Sequence, residues 1–377
     1  LSTSLLKVEG GLIVAQAPHL LFLSDSDNDD KVDEEHVLLN GFGVWDTHAG
    51  PANLRWGPDN CIWGTVGYAG YKKDGVSFSS GLWRWQFGDT HPEFMAQFSN
   101  NTWGIGFSAD DEIWGSTANN APSFLVGIPG STLAQPSFDS TRIHPITKSI
   151  QQGDFFGSFT AAAGHHFLSG EHFPHHWRQS VAICEPTARL VARQEVFDSE
   201  SGARTRDCFN LVASLDEWFC PVQAQVGPDG ALWIADFSQF LVLHNLPGNP
   251  EKGLPSIDYD SGNAHVNPLR DNTHGRIFRV FKKGLSSLPE FDLSEENAGK
   301  LLNALKSSND FWRIMARRIL VEKNIVGVIG LLHQAIRKSY PGSVDALRVL
   351  ASISDFTDDK MGMWNDTRKF IIQGNNL

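Results

Sequence analysis

Three segments repeat one pattern along the chain: "GPDNCIWGTVG" from Gly57, "SADDEIWGSTA" from Ser108 and "GPDGALWIADF" from Gly227. Each carries an Asp in a turn, two spacers, an Ile or Leu, a Trp and a short strand-like run. Aligned on the tryptophan, Trp63 and Trp114 lie 51 residues apart and Trp233 lies 119 further on. A period near 50, with further strand signals between, is the mark of a β-propeller, whose blades hold four strands each. The spacing predicts Trp63, Trp114 and Trp233 at equivalent positions in three blades. "SVAICEPTARLVARQEVF" from Ser180 reads as two strands of another blade joined by a Pro-Thr turn. An irregular β-sandwich is the competing arrangement. The 35 Gly, 18 Pro, 12 Trp and 25 Phe favour a β-rich body with many turns.

The pattern changes after Lys283. Leu301, Leu302 and Leu305 share one helical face, and Ile314, Ile319 and Leu320 lie on the inner side of the next helix. Ser294 is the expected N-cap, with Glu295 and Glu296 in the first turn, where the helix dipole favours them. Residues 1–285 therefore read as a mainly β propeller domain, and 286–377 as the beginning of a short α-helical HEAT-like segment packed on it. Cys61, Cys184, Cys208 and Cys220 are scattered, with no CxxC or CxxCH. They read as buried small hydrophobes, with a Cys208–Cys220 disulfide as the alternative. A net charge of −12 argues against a nucleic-acid partner. No run of about 18 apolar residues is long enough for a transmembrane helix. No signal peptide is visible at Leu1, and the opening strand pattern suggests an upstream segment.

"DSDNDDKVDEEH", Asp25 to His36, is close to a calcium loop. Hard cations take several oxygen ligands, and alternate positions of a tight loop point inward. Asp25, Asp27 and Asp29 hold the first, third and fifth positions. Lys31 offers its carbonyl at the seventh and Asp33 its carboxylate at the ninth. Asp30 stands where Gly is usual and His36 where a bidentate Glu is usual. A solvated acidic hairpin is the other reading; a calcium ion here would be structural. Histidines occur in three clusters: Asp46 and His48 in a Gly/Pro-rich turn, His165 and His166 through His176, and His274 in "LRDNTHGRIFRV". No HExxH and no structural-zinc spacing occurs. His165, after a small-residue run that would pass near a propeller axis, is the candidate of the second cluster. Arg270 and Arg276 either hold a carboxylate-rich ligand by bidentate pairing or form a structural pair with Asp271.

"DTHAGPANLRWGPDNCIWGTVGYAG", "NNTWGIGFSADDEIWGSTANN", "FTAAAGHHF", "CEPTARLV", "DEWFCPVQAQVGPDGALWIADF" and "LRDNTHGRIFRV" together resemble the membrane-bound dehydrogenase family of planctomycete-type bacteria. More distantly they resemble the quinoprotein glucose/sorbosone dehydrogenase propellers. The resemblance runs from about residue 8 to 283. It implies a six-bladed ring whose first blade would precede Leu1, HEAT-like helices after it, and a periplasmic or extracellular location. It implies pyrroloquinoline quinone (PQQ) as cofactor, a sugar or other alcohol as substrate and a cytochrome c as electron acceptor. Family members often end in a CxxCH haem domain, which is not in this sequence. By position His48 matches the family's catalytic base and Asp46 its partner, with Thr47 between them here. An imidazole, with an ordinary pKa near 6.5, suits removal of a hydroxyl proton once a neighbouring carboxylate orients it. His165, Arg270, His274 and Arg276 would face the cofactor in one concave mouth. The competing assignments are a His48 that only caps its turn and a non-catalytic propeller scaffold that binds glycan or protein. Few well-placed cations would favour the scaffold, because the quinone carries three carboxylates.

Overall fold

The computed structural model describes residues 2–27, 29–46, 48–119, 121–127, 130, 133–147, 157–240, 242, 271, 273–285, 291–293, 297–323, 325, 327–337 and 342–354. The repeated turn explains the repeated strands. Asp59 Oδ1 accepts the Trp63 indole N–H at 2.8 Å and the Cys61 backbone N–H at 3.1 Å. Asp229 Oδ1 does the same for Trp233 at 3.0 Å and Ala231 at 3.2 Å. In the Ser108 copy the indole of Trp114 donates to Glu112 Oε2 instead, at 3.2 Å. In two copies an arginine from the third strand completes the set: Arg84 pairs with Asp59 at 2.8 Å, and Arg279 pairs with Asp229. Each turn thus satisfies its own donors and fixes where the second strand begins.

Among the described residues five antiparallel blade sheets result, each running from an inner strand outward. Blade 1 comprises β1 (Ser4–Val8), β2 (Gly11–Gln16), β3 (His19–Ser24) and β4 (Glu34–Asn40). Blade 2 holds β5 (Pro51–Trp56), β6 (Ile62–Val66), β9 (Gly81–Trp85) and β10 (Glu93–Gln97), with β7 (Tyr71–Lys73) and β8 (Val76–Phe78) as an inserted hairpin. Blade 3 is β11 (Thr102–Phe107), β12 (Ile113–Thr117), β13 (Ala121–Val126) and β14 (Gln135–Pro136). Blade 4 is β15 (Ala163–Phe167), β16 (Ser180–Glu185), β17 (Leu190–Ser199) and β18 (Gly202–Ala213). Blade 5 shows β19 (Pro221–Val226), β20 (Leu232–Asp236) and β21 (Arg276–Val280). Trp63, Trp114 and Trp233 are each the second residue of a second strand, as the repeat predicts.

Apolar clusters fill the spaces between successive blades: Ile13, Phe22, Leu54 and Trp83 between blades 1 and 2, Trp63, Met95, Ile105 and Phe124 between 2 and 3. Trp114, Phe159, Val181 and Leu190 join blades 3 and 4; Ala163, Cys184, Ala224 and Ile234 join 4 and 5. The inner strands β1, β5, β11, β15 and β19 pack in sequence along a central channel. Gly104 and Gly106 allow β11 and β15 to approach closely: a Cβ would stand 2.7 Å from His165 N at Gly104, and 2.5 Å from His165 O at Gly106. All four cysteines are free, so the Cys208–Cys220 disulfide is not formed; Cys184 and Cys220 are buried, as small hydrophobes would be.

Among the described residues four helices follow: α1 (Ala298–Ala304), α2 (Asp310–Glu322), α3 (Val328–Arg337) and α4 (Ser343–Ser354). Leu301, Leu305 and Leu320 are buried in their shared core, with Leu302 and Ile319 against it. Ile314 and Met315 instead face the propeller and pack on the blade 1–2 cluster. The first N-cap is Asn297, whose side chain accepts the Lys300 N–H. Ser294, Glu295 and Glu296 lie outside the described residues. Among the described residues no helix is long and apolar enough to cross a membrane.

The helices dock on the turns that join first to second strands, in all five blades. Lys7 O accepts from Arg318 at 2.7 Å, and Lys323 pairs with Glu9. Pro58 O accepts from Arg317 at 3.0 Å, and Asn60 donates to Ser352 at 2.7 Å. Asp111 pairs with Arg348, and Ser308 donates to Glu171. Pro228 O accepts the Trp312 indole at 2.8 Å, and Gly227 O accepts from Asn309 at 2.9 Å. One end of the ring, the base, is thereby occupied by helices. The other end, the mouth, carries the segments that lead into each inner strand.

Candidate functional site

Asp46 and His48 precede β5, whose inner strand runs from mouth to base. Asp46 Oδ1 accepts the backbone N–H of His48 at 2.8 Å, an Asx turn that pins the loop. This bond sets the position of the His48 backbone, whereas the sequence reading has Asp46 orienting the ring. The His48 ring is partly exposed and lies 6.4 Å, centroid to centroid, from that of Trp103 on β11. His48 thus stands at the end of the channel opposite the helices, beside an inner-strand tryptophan.

His274 and Arg276 reach the same end, since β21 starts opposite the last residue of β20. His274 Nδ1 is 2.5 Å from Asp271 Oδ2, and Asp271 is held well below the usual carboxylate range, at about 2, mainly by bonds from Thr273. Arg276 Nε meets Asp236 Oδ2 at 2.6 Å and Nη1 meets Asp216 Oδ2 at 2.5 Å. Arg276 is therefore committed to two carboxylates, one of them fully buried, and not to Asp271. Arg270 lies outside the described residues.

His165 goes elsewhere. It is fully buried between blades 3 and 4, stacked on Trp114 at 5.9 Å, with Nε2 3.1 Å from Ser123 Oγ. Burial, helped by nearby Arg55, lowers its pKa to about 3, so it is a neutral core residue and does not line the mouth. A histidine that must fold neutral makes the protein acid-labile. The unfolded chain takes up a proton near pH 6.5 and the folded one only near pH 3. The stabilisation is complete above pH 6.5 and is lost as pH falls toward 3. We expect His165→Gln to flatten that acid limb in a series of urea melts between pH 7 and 4; an unchanged slope would refute the assignment.

The neighbour that sequence reasoning passed over, His166, faces the channel. Arg55 Nη1, from β5, lies 2.6 Å from its Nδ1, and Val226 N, at the end of β19, lies 2.9 Å from its Nε2. Above them Asn53, at φ 53 in a bulge of β5, donates to Trp103 O at 2.7 Å. Burial pushes the Arg55 guanidinium down to about 10. Nothing in "HH" told which histidine faces inward.

At the base end, Asp25, Asp27 and Asp29 place one carboxylate oxygen each within 4.8 Å of one another. Asp33 does not join them but accepts from Ser26 N at 2.6 Å and Oγ at 2.5 Å. The Lys31 ammonium pairs with Asp29 at 2.5 Å. The loop joins β3 to β4, at the opposite end from His48, so a cation there could not polarise a substrate at the mouth. Converging carboxylates repel unless a cation intervenes. Millimolar calcium is expected to raise the melting temperature and chelator to lower it; Asp27→Asn should abolish the response, and an unresponsive wild type would leave an acidic hairpin.

Among curated proteins none matches this chain. Solved structures are similar at low identity. Luciferin-regenerating enzyme is 10% identical, with TM-score 0.45, over 77% of this chain and 80% of that one. The soluble aldose sugar dehydrogenase of Escherichia coli, in the apo-form, is 15% identical, with TM-score 0.41, over 62% and 73%. The PQQ-bound aldose sugar dehydrogenase of Streptomyces coelicolor is 13% identical, with TM-score 0.37, over 63% and 69%. A family model described as a domain of unknown function, DUF7133, matches residues 1–284, that is, all five described blades, and the chain belongs to that family.

Proposed function

We propose that this propeller is a quinoprotein-like dehydrogenase that takes the hydroxyl proton of a sugar or other alcohol on His48. The reading rests on the placement of His48: partly exposed, held by the Asp46 turn, beside Trp103, at the end of the channel that the helices leave uncovered. The Trp103 face offers an apolar platform of the kind sugar rings stack on. An imidazole beside it can accept a proton from a hydroxyl in hydrogen-bond reach. A six-bladed ring, a periplasmic location and a cytochrome c acceptor belong to the same reading.

The quinone itself fits the described mouth poorly. Three carboxylates call for free cations, whereas Arg276 is bound by Asp216 and Asp236 and His274 by Asp271. The same observation favours a second reading, a non-catalytic propeller that binds a glycan at the mouth. One experiment separates them: the protein is titrated with a panel of aldoses and alcohols, with and without PQQ and a dye acceptor. Quinone-dependent dye reduction supports the dehydrogenase. Calorimetric sugar binding without reduction supports the glycan binder, and neither signal refutes both.

A further inference from the structure

Arg55 crosses the channel from the inner strand of blade 2 to that of blade 4, and only 8% of its surface is exposed. Its Nε and Nη2 are buried with no partner, and among the described residues no carboxylate pairs with it. A buried guanidinium left like this is costly, since both its charge and its N–H groups have been taken from water.

The neighbours deepen the imbalance. A neutral imidazole has one acceptor nitrogen, and the other carries a hydrogen. Burial and Arg55 hold His166 far below the usual histidine range, so it is neutral. Yet Arg55 Nη1 and Val226 N, both donors, stand at its two nitrogens. On either tautomer one N–H points at another. The Trp103 indole N–H is also buried without a partner. Asn53 Oδ1 and Gln223 Oε1, buried and unbonded, supply neutral acceptors but no negative charge. Water could satisfy hydrogen bonds here; it could not neutralise the cation.

We propose that the floor of the channel binds a small monovalent anion, a halide or a short carboxylate, on the free N–H groups of Arg55 beside His166. The ion compensates one charge, so a monoanion suffices. It enters from the mouth, because the helices hold the base. The proposal is independent of the dehydrogenase reading and needs no quinone.

The test uses the full chain, exchanged into a halide-free buffer. Sodium chloride, bromide, formate and acetate are each titrated while melting is followed, in wild type and in Arg55→Gln. A ligand that binds only the folded state raises the melting temperature along a saturating curve. Saturation in wild type, lost in R55Q, is expected; response to halides alone or to carboxylates alone assigns the ion. Equal responses in both proteins, or a linear rise without saturation, overturn the proposal. Should R55Q fail to fold, bromide-soaked wild-type crystals decide: an anomalous peak beside Arg55 supports the site, and its absence overturns it. Because no turnover is read, a failed dehydrogenase assay leaves this outcome untouched.

Discussion

His48→Ala is expected to lower dye-linked oxidation of whichever sugar or alcohol is turned over by about 10²–10⁴-fold, the usual cost of losing a general base. The loss should fall on kcat, since Trp103 and the channel walls that would bind the substrate remain. Melting should be unchanged: His48 is partly exposed and precedes β5 rather than forming part of it. Asp46→Ala should cost less, because Asp46 Oδ1 holds the backbone N–H of His48. If H48A retains wild-type turnover, the catalytic assignment falls. If H48A and D46A lose activity only by melting, His48 caps its turn and nothing more.

The largest expected effect on stability lies in the helices. Asp345 on α4 is 5% exposed and receives Arg348 at 2.9 Å, Arg317 at 3.3 Å and Arg313 at 3.4 Å. Burial already pushes Arg317 down to about 10. Asp345→Ala would leave three guanidinium groups facing a site without its anion. Removing one partner of a buried ion pair costs about 3–5 kcal/mol. Two of these arginines also reach the propeller, Arg317 to Pro58 O and Arg348 to Asp111. D345A should therefore melt lower and lose its helices to limited proteolysis before the blades are cut. Wild-type melting with intact helices would show that the network contributes nothing net.

The propeller was legible because its repeat has a local cause. A carboxylate that binds the indole of the next strand, Asp59 and Asp229 four residues before it and Glu112 two, leaves similar letters wherever that turn recurs. The helical segment was legible from its apolar spacing, but its seat was not. It grips backbone carbonyls of Lys7, Pro58, Gly227 and Pro228, and a carbonyl has no letter of its own. That His166 and not His165 faces the channel is hidden in the sequence for a similar reason. The register of β15 against β16 shifts between Ala163 and His166, and such a bulge changes which residue faces inward. Arg55 stayed hidden because its partner lies 111 residues away. Arg276 looked like a ligand-binding cation; Asp216 and Asp236, 60 and 40 residues earlier, claim it.

The seating of the helices orders the events of synthesis. The described blades pack on their neighbours in chain order, so each can settle soon after its predecessor leaves the ribosome. Arrays of this kind gain stability one neighbour at a time and open one neighbour at a time. The segment that touches all five is made after them. Until it emerges, the nascent ring carries bare turns at its base and can breathe at any seam. Its arrival couples blade 1 to blade 5 through a single body. A ribosome stalled before residue 298 should therefore present a loose, protease-sensitive ring, and one stalled well past residue 354 a latched one.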